Sequence, residues 1–137
     1  MESVFDSLAR GFPVLVFYLL AVTAIFVVAL YTYVKLTPHR EFALVGQGNM
    51  AAAIHLSALI VALALPLAAC LINKVSLLDV AVWGVVSTAL QLFLFRMTDM
   101  IFRGIPDLIE RDVAAPALVL AAFKIAGSII LAFAIAG

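Results

Sequence analysis

Gly48-Asn49-Met50-Ala51-Ala52-Ala53 and Arg111-Asp112-Val113-Ala114-Ala115-Pro116 share one pattern 63 positions apart: an amide or carboxylate side chain, then small residues, at the threshold of a long apolar run. A side-chain oxygen at such a threshold can cap the first turn of a helix, and small residues behind it let another helix approach closely. The echo predicts two helix pairs in tandem, spanning residues 12–72 and 75–136 of a single membrane domain over 1–137. Each pair holds an even number of crossings, so the copies keep one orientation. That predicts a pseudo-two-fold axis along the membrane normal.

Around the echo, hydrophobic residues make up 67% of the 137-residue chain and charged ones 12%. Soluble domains carry roughly one quarter charged residues, so the solvent here is lipid. Four runs are long enough to cross about 30 Å of hydrocarbon at a rise of about 1.5 Å per residue. They lie near Phe12 to Val34, Met50 to Ile72, Val80 to Phe102 and Ala114 to Ala136. The first exceeds the ~7 to 15 apolar residues of a signal peptide and lacks an Ala-x-Ala-like site, so it is expected to remain as a spanning helix. The fold class is therefore all-α, a four-helix transmembrane bundle.

Eight basic and eight acidic residues cancel, so no overall field points to nucleic acid. Cys70 is the sole cysteine, which excludes an intrachain disulfide and a cysteine metal cluster. No metal-ligand set, nucleophile with its base, or pair of catalytic carboxylates is spaced for chemistry. The chain is expected to be no enzyme and to need neither metal nor cofactor. Lys35, Arg40, Arg103 and Arg111 flank the two longer loops, against Arg10 and Lys74 on the other side. The positive-inside rule puts those loops in the cytoplasm and both termini, with the turn from Asn73 to Asp79, outside. Tyr31 and Tyr33 at one interface, with Phe12 and Trp83 at the other, suit an aromatic belt.

Thr37-Pro38 after the first run, Gly48-Asn49-x-Ala51-Ala52-Ala53 before the second, Trp83-Gly84 in the third and Asp112-x-Ala114-Ala115 before the fourth together form a recognisable set. The set resembles the YjfL-like bacterial inner-membrane proteins, which carry tandem copies of domain of unknown function three-fifty. The resemblance spans nearly the whole chain. It implies a small multi-pass protein of the bacterial inner membrane, with some relatives encoded near polyamine-related and membrane-stress genes, and it brings no established activity. Asp112 departs from the Asn common in the second copy. A negative charge there suits the positive end of a helix dipole.

Asn49 and Asp112 are read as N-caps of the helices that follow them. Gly46-x-Gly48 lacks the strand and third glycine of a nucleotide-binding fingerprint and is read as a turn. Intramembrane polar residues are costly and so are the candidate site: Lys124, Asp99, Arg96, His55, Gln91 and Ser128. Arg96 and Asp99, three apart, can pair along one helix face. Thr88, Gln91 and Asp99 form a polar stripe bordered by Arg96, which suits a pore lining or a packing seam equally. Lys124, about 15 Å inside its helix, leans toward the helix start and reaches the depth of Asp99 and Arg96. One carboxylate would then serve two cations. Under the 63-residue shift Lys124, Arg96 and Asp99 fall on Val61, Tyr33 and Leu36, and His55 falls on Leu118. The copies therefore differ where the charge lies. Pro66 frees the Ala62 carbonyl, which can shape a site or merely a bundle.

Ala58, Ala62, Gly84, Thr88, Ala117 and Ala121 are expected to assemble the bundle by close packing. One such unit leaves little room for a path, so a homo-oligomer, dimer or higher, is expected. Two functional readings follow. In the first, an oligomeric channel or carrier moves an ion or small charged solute through a polar site in the cytoplasmic half of the bilayer. In the second, a non-transporting adaptor or assembly factor in envelope stress works through the loops Lys35 to Asn49 and Arg103 to Val113.

Overall fold

Within hydrocarbon every backbone polar group needs a partner from its own segment, so long apolar runs fold as helices. The computed structural model describes residues 1–37, 41–72 and 76–137. Among the described residues six helices follow one another: α1 (Glu2–Leu36), α2 (Glu41–Gly46), α3 (Met50–Ile72), α4 (Leu77–Ile101), α5 (Ile105–Glu110) and α6 (Ala114–Ala136). Among the described residues there is no strand. Four of these helices, α1, α3, α4 and α6, are long and apolar enough to cross a membrane. The expected bounds of the second and fourth runs coincide with α3 and α6; α4 starts before Val80, and α1 starts well before Phe12. The short α2 and α5 were not foreseen. Pro38, Arg40, Asn73 and Lys74, on which parts of the motif and charge reading rest, lie outside the described residues.

The bundle is built around α3. In its most apolar stretch 56% of residues are buried, against 6% for α1, which lies along the outside. Small residues explain the centre: Ala58 and Ala62 of α3, with Ala117 and Ala121 of α6, are all buried where these two helices make the most extensive pairing in the molecule. Without side-chain bulk the two backbones approach and gain dispersion contacts, the main attraction available in lipid. A methyl group added at Gly84 of α4 would lie 2.9 Å from Cδ1 of Ile25 in α1, so the glycine permits that crossing too. Ala29 and Tyr33 of α1, Leu56, Leu59, Ala62 and Leu63 of α3, and Phe95 of α4 form one apolar cluster. Hydroxyls on the helices hide themselves: Thr32 and Thr98 donate to the carbonyls of Val28 and Leu94 at 2.8 Å each.

The turns leading into α3 and α6 are alike in backbone. Gly48 N–H donates to Val45 O and Asn49 N–H to Leu44 O, at 3.0 and 2.9 Å; Asp112 N–H donates to Ile109 O and Val113 N–H to Leu108 O, at 3.0 and 2.9 Å. The left-handed position in each is Gly48 (φ 87°) and Asp112 (φ 59°). These correspondences run over 64 positions, as do Met50 to Ala114 and Ile72 to Ala136, one more than the sequence echo. The extra residue corrects the reading of Asp112. It occupies the place of Gly48, closing α5 in the left-handed conformation that Asp tolerates, while Val113 stands at the start of α6 and gives it no side-chain cap.

Both polar side chains instead serve α3. Asn49 Oδ1 accepts from Ala52 N–H at 2.8 Å, as expected of an N-cap, and Asp112 Oδ1 crosses over to accept from Ala51 N–H at 3.0 Å. Asn49 also donates through Nδ2 to Ile109 O at 2.8 Å, which ties α3 to the end of α5. Removing the buried amide loses the cap and the tie to the Ile109 carbonyl, which keeps only its turn bond from Asp112 N–H, whereas exposed Asp112 gives up one bond that water can replace. Asn49→Ala should therefore cost about 1–2 kcal/mol and Asp112→Ala clearly less, as read by unfolding in mixed detergent micelles.

Candidate intramembrane charge network

Lys124 is the centre of the site. It is 1% exposed, on the face of α6 that packs toward α3 and α4, and its ammonium must be satisfied by protein because neither water nor headgroups surround it. Three acceptors from three other helices meet it. Asp99 Oδ1 of α4 lies 2.7 Å from Nζ, Tyr33 Oη of α1 also 2.7 Å, and His55 Nε2 of α3 lies 2.9 Å away. Tyr33 in turn donates to Asp99 Oδ2 at 3.2 Å. Nζ also stands 5.0 Å from the ring centroid of Tyr33 and 5.5 Å from that of Phe95, within reach of cation–π attraction.

The chain of contacts continues through His55. Its Nδ1 lies 2.6 Å from Oε1 of Glu41, and both residues are buried, at 1% and 2% exposure. An ammonium can only donate, so Nε2 accepts from Lys124 and the ring proton sits on Nδ1, donating to Glu41. Contacts on both ring nitrogens hold the imidazole in place from two sides. Four ionisable groups and a phenol form a continuous line from the α2 loop into the bundle. Each link is short enough for a proton to pass without displacement of the helices.

The structure sorts the expected site residues. Lys124, Asp99 and His55 come together, Lys124 reaching back toward the start of α6 as its helical geometry requires. Arg96 does not join them. It lies on the exposed face of α4, and among the described residues no ion pair links it to Asp99, so the carboxylate serves one cation rather than two. Three residues of spacing left Arg96 and Asp99 on different faces once α4 packed against α3 and α6. Gln91 is buried elsewhere on α4, 1% exposed. Ser128, fully buried, donates through its hydroxyl to the Ala62 carbonyl. That is the carbonyl Pro66 deprives of its helical donor, so Ser128 repairs the break within the packing seam.

Two members escaped the sequence reading. Tyr33, assigned to the aromatic belt, is 5% exposed and points into the bundle, while Tyr31 stays in the exposed belt position with Lys35 5.4 Å from its ring centroid. Tyr33 was visible as the residue opposite Arg96 in the shifted copy. Glu41 was visible as the lone acid of its loop, heading the apolar Phe42-Ala43-Leu44-Val45. Among the described residues no three His, Cys, Asp or Glu gather as a metal site would require.

Comparison with known sequences decides the family, because the profile described as Domain of Unknown Function (DUF350) matches residues 7–135. The chain belongs to the DUF350 family. It is 28% identical over 106 residues to the UPF0719 inner membrane protein YjfL of Escherichia coli strain K12, covering 77% of this chain and 80% of that protein. The YjfL of Escherichia coli O157:H7 matches over the same extent and with the same identity. No solved structure gives a significant match. This DUF350 chain is thus a multi-pass inner-membrane protein with the charge network in its interior.

Proposed function

We propose that this DUF350 protein is a non-enzymatic carrier or channel that moves protons, or a small charged solute in exchange with protons, through the Lys124 network. The observation that supports this most is a lysine held wholly out of solvent by Asp99, Tyr33 and His55, with Glu41 extending the line toward the loops. Intramembrane lines of acid, histidine and lysine are the usual material of proton relays. A concerted step needs no helix motion. One N–H proton passes from Lys124 to His55 Nε2 while the Nδ1 proton passes to Glu41, leaving a neutral lysine, a neutral imidazole in the other tautomer and a neutral carboxyl. The lysine's lost charge leaves Asp99 free to take a proton or cation from the opposite side.

The orientation that fits the positive-inside rule places α2 and α5 in the cytoplasm and the termini in the periplasm, so Glu41 is the cytoplasmic end of the relay. We take the working unit as a homo-oligomer, dimer or larger. The shallow apolar groove between α3 and α6, edged by Ala53, Ser57, Val61 and Ala122, supports this by offering small residues at helix-packing intervals.

Flux into liposomes holding the purified protein tests the reading. Protons, or small ions under a pH gradient or voltage, should cross with the wild type and should fall at least about tenfold with His55→Ala, which removes the link between Lys124 and Glu41. If nothing crosses in either direction, transport is lost as a function. The adaptor alternative then predicts that Asp107→Lys and Arg111→Glu in the α5 loop abolish cellular function while His55→Ala does little.

A further inference from the structure

Ser87, Gln91, Phe95 and Asp99 follow one another along the inward face of α4, the first three of them at most 2% exposed. Gln91 sits about 6 Å along the helix from Ser87 and about 12 Å from Asp99. Its side-chain oxygen is buried, and among the described residues nothing donates to it. A bare amide oxygen in a bundle core is costly unless some donor reaches it, and the partner that fits a small polar recess is water or a hydrated cation.

A route to that oxygen lies on the side of the termini. Ala69 and Cys70 of α3, Asp79, Trp83 and Leu90 of α4, and Leu131 of α6 line an open cavity of about 390 Å3 where the three helices end or begin. At its base the Cys70 thiol meets the Ser87 hydroxyl at 3.7 Å. The Ser87 hydroxyl donates to Gly84 O at 3.1 Å, which leaves its lone pairs available to the thiol. The Asp79 carboxylate and the Cys70 thiol line the cavity, the Ser87 hydroxyl lies behind the thiol, and the Gln91 amide oxygen follows one helical turn further along α4. They present acceptors and one negative charge, which favours water and cations over anions.

Phe95 stands between this track and the charge network. It is 1% exposed, packs edge-on against Tyr33 with ring centroids 5.7 Å apart, and lies 5.5 Å from Lys124 Nζ. An aromatic ring one turn from Gln91 and one turn from Asp99 is placed to break a file of water. We infer that Asp79, Cys70, Ser87 and Gln91 line an outer hydrated access path for water and small cations, and that Phe95 is the barrier between that path and Lys124. The inference rests on the transport reading for its purpose, since it supplies the second half of the route that Glu41 and His55 begin. Its geometry stands independently of that reading.

Cys70, the only cysteine of the chain, is a built-in reporter. Sealed vesicles holding the wild-type protein are exposed to silver ions on the termini side, then unfolded and labelled with a maleimide to count unprotected thiols. Silver should protect Cys70 at least about tenfold faster than a cysteine placed at lipid-facing Val86 in a Cys70→Ser background, because thiolate forms only where water reaches. Gln91→Cys in the same background should be protected as readily as Cys70, and an anionic thiosulfonate should be slower than silver at both. Equal, slow protection at positions 70, 86 and 91 overturns the path. Phe95→Ala should raise passive proton leak about tenfold while Phe95→Leu should not, and an unchanged leak overturns the barrier. Silver protection of Cys70 in a protein that fails every flux assay would keep the path and remove the transport reading; flux without protection would do the reverse.

Discussion

Lys124→Met should destabilise the protein by about 3–5 kcal/mol, the range seen when one member of a buried ion pair is removed. Methionine fills nearly the same volume, so the loss is electrostatic rather than a cavity. Asp99 would keep only the Tyr33 hydroxyl as donor, and His55 Nε2 would face no donor at all. Because the Asp99 side chain retains 19% exposure, the lower end of the range is expected. The decisive measurement is the double variant Lys124→Met/Asp99→Asn. With both charges of the Lys124–Asp99 pair removed together, its stability should return to within about 1–2 kcal/mol of the wild type, the residue of one stranded imidazole nitrogen. Transport should stay absent in both. A double variant as unstable as the single one would mean that the lysine is held by something other than its pairing with Asp99.

Ser128→Ala should cost about 1–3 kcal/mol, and the same substitution in a Pro66→Ala background should cost far less. Interhelical side-chain hydrogen bonds in membranes average only about 0.6 kcal/mol, because the acceptor usually keeps another partner. Here the Ala62 carbonyl has none to fall back on, since residue 66 offers no N–H. The penalty is that of an orphaned acceptor, and the larger figure governs. Alanine at position 66 restores the helical donor and so makes the Ser128 hydroxyl dispensable. Unfolding titrations of the four proteins in this cycle give the coupling directly, and additive losses would show that Ser128 and Pro66 do not share the carbonyl.

The relation between Pro66 and Ser128 shows how far a sequence can be read. Pro66 announces a missing donor and Ser128 announces a spare hydroxyl, yet the 66 positions between Ala62 and Ser128 leave their meeting to the packing of α3 on α6. Asp112 teaches the same lesson in the other direction. Its likeness to Asn49 suggested an equal role, but the backbones of the two turns correspond over 64 residues rather than 63, which puts Asp112 at the left-handed position held by Gly48 and sends its carboxylate to the neighbouring helix. Spacing alone pairs Arg96 with Asp99, and the face each takes in the bundle parts them. Spacing along one helix is local, whereas which face becomes interior depends on every other helix.

The four spanning helices and the bounds of α3 and α6 were determined by the sequence itself, because transfer into hydrocarbon is a property that each run carries residue by residue and that sums locally. The cost of intramembrane charge likewise singled out Lys124, Asp99 and His55 with no knowledge of their neighbours. Only the tertiary structure decided that these three share one site, that Tyr33 and Glu41 complete it and that Arg96 does not. Lys124 lies 69 positions from His55 and 91 from Tyr33, and hydrogen bonds have direction and a reach of about 3 Å. Bonds so short between groups so distant along the chain exist only once the helices have packed and fixed both depth and facing.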